Sequence, residues 1–333
     1  MTSPRHPGSL LADTEMTKQR FMDLISLASA LKRDKQNGAE SPRLTGRSIA
    51  LLFEKNSTRT RCAFEVAAYD QGAHVTYLGP TGSHVGAEES IADTARVLGG
   101  MYHGVAFRGF DQSTVTELAD HAGVPVWNAL SDQWHPTQSL ADILTMIEHH
   151  DGRLEDIAYC FAGDGRNNVA RSLLVAGAVL GMDVRIAAPA SLQPPADVVA
   201  AAREAAAVSG ARVLVTDEAS AAVRGADYIY TDVWLSMGEP DSQWQSRVSD
   251  LLPYRVTEEL MARTGRPDTK FMHCLPSIHN RDTKVGVRLY EQFGLDGAEV
   301  TEQVFESKDS IVFDQSENKM HTIKALIVAT LTA

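Results

Sequence analysis

The sequence has few cysteines, no long apolar run and fewer basic than acidic residues. Its 333 residues include three cysteines and carry a net charge of −12, with 31 basic against 43 acidic side chains. This balance argues against a nucleic-acid surface or a polybasic membrane surface. Three cysteines without CxxC or metal-ligand spacing argue against disulfides or a zinc site. No run approaches the ~20 apolar residues of a membrane span, and the N-terminus lacks an apolar signal core. We therefore expect a cytoplasmic protein.

Short β-rich runs alternate along the chain with helix patterns, as in βαβ units that build parallel sheets. A glycine and a charge cluster at 149–156 divide the candidate strands into four and five. We predict an α/β fold of two doubly wound parallel-sheet domains linked by helices, with the active site in the interdomain cleft. A single large sheet is the alternative. The candidate strands are 47–53, 73–78, 104–109, 124–130, 157–164, 183–189, 211–216, 227–234 and 270–276.

The stretch FEKNSTRTR (53–61) follows the first of these strands. Ser57 is placed as the N-cap of a helix, whose free N–H groups and partial positive charge suit a phosphate. Thr58 and Thr60 add hydroxyl donors, and Arg59 adds a bidentate guanidinium. A plain capped helix with surface arginines is the alternative.

Two further strand ends carry donors that suit an anion or a carbonyl oxygen. His135 in WHPTQ can polarise a carbonyl, and Gln138 lies one helical turn further on. Arg108 ends another apolar run, where an arginine is costly to desolvate without an anion. Taken alone, His135 is equally open to a structural role.

The cysteines have different expected roles. Cys274 in MHCLP ends a strand and can line a cleft, although a buried structural cysteine is the alternative. Cys62 lies in a helix pattern and Cys160 in an apolar strand, so both are expected to be buried and structural.

Two loops after strands in the second half are candidates for binding an amino acid. DVWLSMGE places Asp232, Ser236 and Met237 at a strand end, where a charged head group can bind. GDGRNN (163–168) lacks the third glycine of the dinucleotide fingerprint, so its asparagines are equally suited to a carboxylate. Five strand ends thus carry polar side chains, which independent placement seldom produces.

Together STRTR, HPTQ, HCLP, DVW with SMG, and GDGRNN resemble the aspartate/ornithine carbamoyltransferase superfamily, most closely its ornithine branch. The resemblance runs from about residue 10 to the C-terminal MHTIKALIVATL. It implies a carbamoyl-phosphate domain over 1–150, an ornithine domain over 151–315, and a terminal helix over 316–333 that packs back on the first domain. It also implies a homotrimer or a multiple of trimers, and no metal or cofactor.

The resemblance also implies roles for individual residues. Arg108, His135, Asp232 and Cys274 are expected to be catalytic. The ornithine-binding residues are expected to be Asn168, Asp232, Ser236 and Met237. The carbamoyl-phosphate residues are expected to be Ser57, Thr58, Arg59, Thr60, His84, Arg108, His135, Gln138, Cys274, Leu275 and Lys319.

Two of these positions depart from the commonest family pattern. Lys319 stands where many relatives have arginine; it keeps the charge but loses the planar fork, so weaker carbamoyl-phosphate binding is expected. His84 stands where bacterial relatives often have glutamine, on a loop expected to reach a neighbouring subunit, and can add pH dependence.

The implied reaction is carbamoyl transfer from carbamoyl phosphate to the δ-amine of L-ornithine, giving citrulline and phosphate. Activity should rise toward alkaline pH, because the amine must lose a proton. Three alternatives remain: a carbamoyltransferase for putrescine or an acylated ornithine, a nicotinamide dehydrogenase, and a non-catalytic relative. The intact SMG and HCLP motifs and the incomplete GxGxxG speak against them.

Overall fold

The computed structural model describes residues 5–80, 89–236 and 238–332. The chain divides into two compact units, one formed by Met1–Thr145 with Glu317–Ala333 and the other by Met146–Ser316. Each unit contains one sheet in which every pair of neighbouring strands is parallel. The predicted class of two parallel-sheet α/β domains is confirmed, and the single-sheet alternative is wrong.

All nine predicted strands are present. The first sheet has the order β2-β1-β3-β4 and the second β7-β6-β5-β8-β9, so the strand order reverses beside β1 and beside β5. Ligands of such sheets bind beyond the carboxyl ends of strands at these reversals. The strands are β1 Ser48–Phe53, β2 His74–Leu78, β3 Gly104–Arg108, β4 Val126–Leu130, β5 Ala158–Ala162, β6 Asp183–Ala187, β7 Arg212–Thr216, β8 Tyr228–Thr231 and β9 Lys270–His273.

Helices connect successive strands, as the parallel pairing requires. Within the described residues, no helix is long and apolar enough to cross a membrane. The helices are α1 Lys18–Gln36, α2 Thr58–Asp70, α3 Ile91–Met101, α4 Gln112–His121, α5 Pro136–Glu148, α6 Asn168–Leu180, α7 Ala196–Ser209, α8 Ala219–Ala222, α9 Trp244–Leu251, α10 Glu258–Ala262, α11 Lys284–Phe293, α12 Glu302–Phe305 and α13 Val312–Leu331.

The central strand β3 shows how the core of the first unit fixes the position of a polar strand end. All five of its residues are buried, and Val105 and Phe107 belong to a core cluster with side chains of α3 and α4. Burying each such side chain contributes about 1.5–3 kcal/mol. A Cβ at Gly104 would lie 2.4 Å from the Trp127 ring, so the close approach of β3 and β4 requires glycine there. This packing holds Arg108 at the carboxyl end of β3.

A buried ion cluster joins α13 to the rest of the first unit. Lys324 is fully buried and forms ion pairs with Asp70, at 2.7 Å, and with Glu40. Burial acts to raise the pKa of Asp70, but hydrogen bonds from Lys324 and Lys35 outweigh it and lower that pKa. Removing one partner of such a cluster leaves an uncompensated buried charge, so these contacts fix the position of α13.

Candidate active site

The first turn of α2, which follows β1, is rich in hydrogen-bond donors. Ser57 is the N-cap, as predicted: its backbone is extended, and its hydroxyl accepts a hydrogen bond from the Thr60 amide at 3.2 Å. Thr60 is buried, Arg59 is half-buried and Thr58 is exposed. The remaining amides of this turn and the helix dipole favour an anion.

Arg61, two residues beyond Arg59, is engaged elsewhere. Its Nε donates to Glu65 at 2.8 Å, and its guanidinium lies 4.0 Å from the centroid of the Tyr77 ring. The hydrogen bond that Arg61 donates to Glu65 raises the pKa of Arg61. The two arginines of STRTR therefore have separate environments.

Lys55 is a buried cation that sequence reasoning missed. It forms an ion pair with Asp132, and its Nζ lies 4.2 Å from the centroid of the Phe110 ring. Glu54 accepts a hydrogen bond from the Phe110 amide at 3.1 Å. These contacts tie together the loops that follow β1, β3 and β4. Lys55 belongs to no recognisable motif, so only its burial identifies it.

A polar cluster at the start of α5 contains three of the predicted carbamoyl-phosphate residues. The Lys319 ammonium donates to Gln138 Oε1 at 2.9 Å and lies 3.3 Å from His135 Nε2. Gln138 Nε2 donates to Asp142 at 2.7 Å, which fixes the orientation of the amide. His135, Gln138 and Lys319 are respectively 3%, 1% and 6% exposed, so the cluster is almost dry.

Burial and, after it, nearby positive charges determine the protonation state of His135. Burial is the largest cause that lowers its pKa well below 6.5, followed by the positive charges of Lys319 and Arg108. The imidazole is therefore neutral at neutral pH. Arg108 ends β3 and is itself buried. A neutral ring between two cations leaves the cluster with net positive charge, which suits a phosphorylated substrate.

In the second unit, Asp232 is a hub that joins two strand ends. One of its oxygens accepts a hydrogen bond from Asn167 Nδ2 at 2.9 Å, and the other accepts from the Cys274 thiol at 3.3 Å. Asp232 follows β8, and Cys274 follows β9. The structure thus brings together two predicted catalytic residues and adds Asn167, whereas the sequence singled out its neighbour Asn168, the first residue of α6.

The backbone after Cys274 has an unusual conformation. Leu275 has a φ of 59°, in the left-handed region that costs a residue with a Cβ about 1–2 kcal/mol, and the Leu275–Pro276 bond is cis. The Leu275 amide donates to His273 Nδ1 at 2.8 Å. Beyond the proline, Glu299 accepts hydrogen bonds from the Ile278 amide and the Ser277 hydroxyl. These contacts hold the segment that carries Cys274.

A buried arginine joins the two loops that carry the predicted ornithine residues. Arg247, 7% exposed, donates to Asp164 at 2.8 Å and to Glu239 at 2.5 Å. Glu239 also accepts the Ser236 amide at 2.7 Å. Asp164 belongs to the loop after β5 and Glu239 to the loop after β8, so Arg247 fixes both. Sequence reasoning missed it, because nothing local to WQSR indicates such partners.

Within the described residues, two side-chain groups have the composition and spacing to hold a metal ion. Their ligand atoms lie within 4.8 Å of one another. Thiolate, imidazole and carboxylate ligands of this kind suit zinc. The two groups are Asp232 with His273 and Cys274, and His279 with Glu302 and Glu306.

The remaining sequence predictions concern His84, Met237 and two cysteines. His84 and Met237 lie outside the described residues. Cys160 is buried as predicted, and burial raises its thiol pKa to about 12. The prediction for Cys62 is wrong: the side chain is exposed, because α2 buries the face formed by Thr60, Ala63, Phe64, Ala67 and Ala68.

Comparison with known proteins identifies the family. The sequence matches the model of the aspartate/ornithine carbamoyltransferase carbamoyl-P binding domain over residues 9–148. It matches the Asp/Orn binding domain of the same family over residues 155–330. The chain therefore belongs to the aspartate/ornithine carbamoyltransferase family.

Within that family, similar relatives are ornithine carbamoyltransferases. The chain is 57% identical to the ornithine carbamoyltransferase of Haemophilus influenzae strain PittGG, with 98% of both chains covered. It is 56% identical to the catabolic ornithine carbamoyltransferase of Burkholderia mallei, again over 98% of both. The ornithine carbamoyltransferase structure from Pyrococcus furiosus superposes with a TM-score of 0.87 at 37% identity, covering 98% of this chain and 97% of that one.

Proposed function

We propose that this chain transfers the carbamoyl group of carbamoyl phosphate to the δ-amine of L-ornithine and releases L-citrulline and phosphate. The observation that carries the proposal is the buried, positively charged cluster of His135, Gln138 and Lys319. It occurs in a chain whose relatives at 56–57% identity are named ornithine carbamoyltransferases.

The first unit binds carbamoyl phosphate in this proposal. The first turn of α2 holds the phosphate through its amides and through Ser57, Thr58, Arg59 and Thr60. This role is supported by the N-cap geometry and by the positive end of the helix dipole. His84 is proposed to contribute to the same substrate.

The carbonyl oxygen of carbamoyl phosphate is polarised by Arg108 and His135, with Gln138 holding the carbamoyl amide. His135 Nε2 accepts from the Lys319 ammonium in this structure, so its role as a donor requires that Lys319 turn to the substrate and that Nε2 carry the proton of the neutral ring. Support comes from the neutral imidazole and the buried cations, since preorganised donors in a dry site stabilise developing negative charge strongly. Lys319 supplies a further positive charge.

The second unit binds ornithine. Asp232, Asn168, Ser236 and Met237 hold the amino acid, and the Asp232 carboxylate with the Cys274 thiol orients the δ-amine. The hydrogen bond between these two side chains supports the assignment. The carbonyl of Leu275 is proposed to contact the reacting group.

In the reaction, the lone pair of the neutral δ-amine attacks the carbonyl carbon and forms the new C–N bond. The bond between that carbon and the phosphate oxygen then breaks, phosphate leaves with the electron pair, and the amine loses a proton. Phosphate is already a good leaving group, so the chemistry depends on positioning and charge stabilisation.

A side-by-side assay tests this proposal. Citrulline formation from carbamoyl phosphate should require ornithine, with putrescine, acetylornithine and aspartate giving little carbamoylated product. Preference for another of these amines would reassign the substrate, and no product with any of them would favour a non-catalytic relative.

We further propose a cytoplasmic homotrimer, or a multiple of trimers, that serves arginine breakdown, in which the same reaction runs in reverse from citrulline and phosphate. The catabolic function is supported by the names of relatives from Haemophilus influenzae and Burkholderia mallei. Light scattering should give a mass that is a multiple of three times the 36.2 kDa chain. Loss of the gene should impair growth that depends on arginine breakdown and spare growth without arginine.

A further inference from the structure

A cavity of about 430 Å³ lies in the first unit, at the edge of the sheet opposite the candidate active site. Its lining includes the residues directly before three strands, Arg47 before β1, His103 before β3 and Pro125 before β4. Arg108, His135 and the first turn of α2 lie instead at or beyond the carboxyl ends of strands. The volume is within the range of small-molecule sites.

Three nitrogen-bearing side chains, those of His6, Arg47 and His103, line this cavity together with the hydroxyl-bearing side chains of Tyr102 and Thr330. The Ser48 amide donates to His103 Nδ1 at 3.1 Å, and the Gly8 amide donates to His6 Nδ1 at 3.0 Å. A ring nitrogen that accepts such a bond carries no proton, so in the neutral ring Nε2 carries it. Both lining histidines therefore have Nε2–H as their remaining donor.

Arg47 adds a cation to these two donors. In the described part of the chain, no carboxylate lies within ion-pair distance of its guanidinium, although acidic side chains outnumber basic ones overall. A planar guanidinium binds the two oxygens of a carboxylate or phosphonate side by side. Three donors from separate segments thus surround the cavity.

The rest of the lining is largely apolar or lacks a side chain. Met101, Tyr102 and Leu331 contribute side-chain surface, and Met101 is 69% exposed. We propose that this cavity is a second ligand site, which binds a small organic anion. The oxyanion head of the ligand contacts Arg47 and the two histidines, and its apolar body packs against Met101, Tyr102 and Leu331.

Gly100 provides a way to close the cavity without disturbing the fold. It lines the cavity, and a Cβ built on it meets no atom within 4 Å. Gly100 lies within α3, where leucine is the better helix former. Gly100→Leu therefore fills the space, while Arg47→Ala removes the charge and leaves the space open.

Calorimetric titration with phenylphosphonate, benzoate and benzyl alcohol tests the proposal. The phosphonate should bind most tightly, because it carries the largest negative charge, and the alcohol should not bind. Arg47→Ala should weaken phosphonate binding about tenfold or more, and Gly100→Leu should abolish it. Both variants should retain the citrulline-forming activity of the unaltered chain. Arg47→Ala should retain its melting temperature, and Gly100→Leu should match or exceed it.

Two controls separate this cavity from other anion sites. Arg43→Ala removes an exposed arginine that, like Arg47, precedes β1 in the chain. Arg59→Ala removes the arginine proposed to bind the substrate phosphate. Both variants should leave phosphonate binding in the cavity intact. Absence of binding to the unaltered chain would overturn the proposal. Binding that survives Gly100→Leu but is lost in Arg59→Ala would also overturn it.

Discussion

The candidate residues of the two units differ in how they are held in place. In the first unit, His135, Gln138 and Lys319 are almost fully buried and bonded to one another. In the second, Asp232 is buried, but Cys274 is half-buried and Ser236 is exposed. The cluster of His135, Gln138 and Lys319 is thus fixed by packing, whereas the residues proposed for ornithine depend on bonds between loops.

Substitutions in the two units should therefore affect different steps of the reaction. A dry cluster that is already ordered stabilises charge without reorganising, so changes there should act on catalysis and on carbamoyl phosphate. Loops held by ion pairs can lose their arrangement while the core stays intact, so changes there should act on ornithine.

The largest effect is expected from Arg59→Ala. It removes the arginine proposed to bind the phosphate at the first turn of α2, so kcat/KM for carbamoyl phosphate should fall about 10³-fold or more. Arg61→Ala is the matched control, because Arg61 pairs with Glu65 and Tyr77 instead. Steady-state kinetics of both variants measure the difference. Near-normal turnover of Arg59→Ala would contradict the phosphate assignment.

Asp232→Ala tests the residues of the second unit that are proposed to bind ornithine. It removes the carboxylate that accepts hydrogen bonds from Asn167 and Cys274. We expect kcat/KM for ornithine to fall about 10²-fold, with carbamoyl-phosphate binding little changed. Initial rates measured against each substrate separate the two effects. An unchanged affinity for ornithine would show that Asp232 has another role.

Arg247→Ala tests whether the ion pairs between loops position the ornithine residues. Loss of the bonds to Asp164 and Glu239 should raise KM for ornithine about tenfold. The KM for carbamoyl phosphate should stay the same, and Arg247→Lys should restore part of the loss. Arg263→Ala, which removes an exposed pair with Glu259, is the control. Equal changes in both KM values would indicate a general structural effect.

The depressed pKa of His135 predicts a pH-dependent stability of the unaltered chain. Below pH 6.5 the unfolded chain binds a proton at this residue that the folded chain does not, so unfolding becomes easier as pH falls through this range. The slope for one proton is at most about 1.4 kcal/mol per pH unit. In His135→Asn, the denaturation midpoint should change less steeply with pH between pH 6.5 and 5. An unchanged slope would mean that His135 titrates normally.

The smallest effect is expected from Lys319→Arg. Arginine supplies the planar fork that lysine lacks, so KM for carbamoyl phosphate should fall a few-fold, roughly the 0.5–1.5 kcal/mol of one net hydrogen bond. Inhibition by phosphate should tighten in parallel. A higher KM would show that the buried contacts of Lys319 with Gln138 and His135 leave no room for the larger group.

The sequence by itself determined the strands, the N-cap of α2 and the residues at the strand ends. The inner strands of parallel sheets are continuous apolar runs, and each of the nine predicted runs became a strand, including the more exposed edge strands β2 and β7. Ser57 was recognisable as an N-cap because capping depends on residues three positions apart. The positions of Arg108, His135 and Cys274 at or just beyond strand ends followed from the same local reasoning.

Only the tertiary structure decided which side chains meet. Arg247 and Asp164 lie 83 positions apart, and no local pattern indicates that they pair. Asn167 bonds Asp232 across 65 positions of sequence, while its side-chain oxygen caps α6 by accepting from the Val169 amide. Lys55 is buried by Asp132 and Phe110 from other loops. Local interactions set the elements, but through-space packing selects the partners of each polar group, and partners determine burial, charge and pKa.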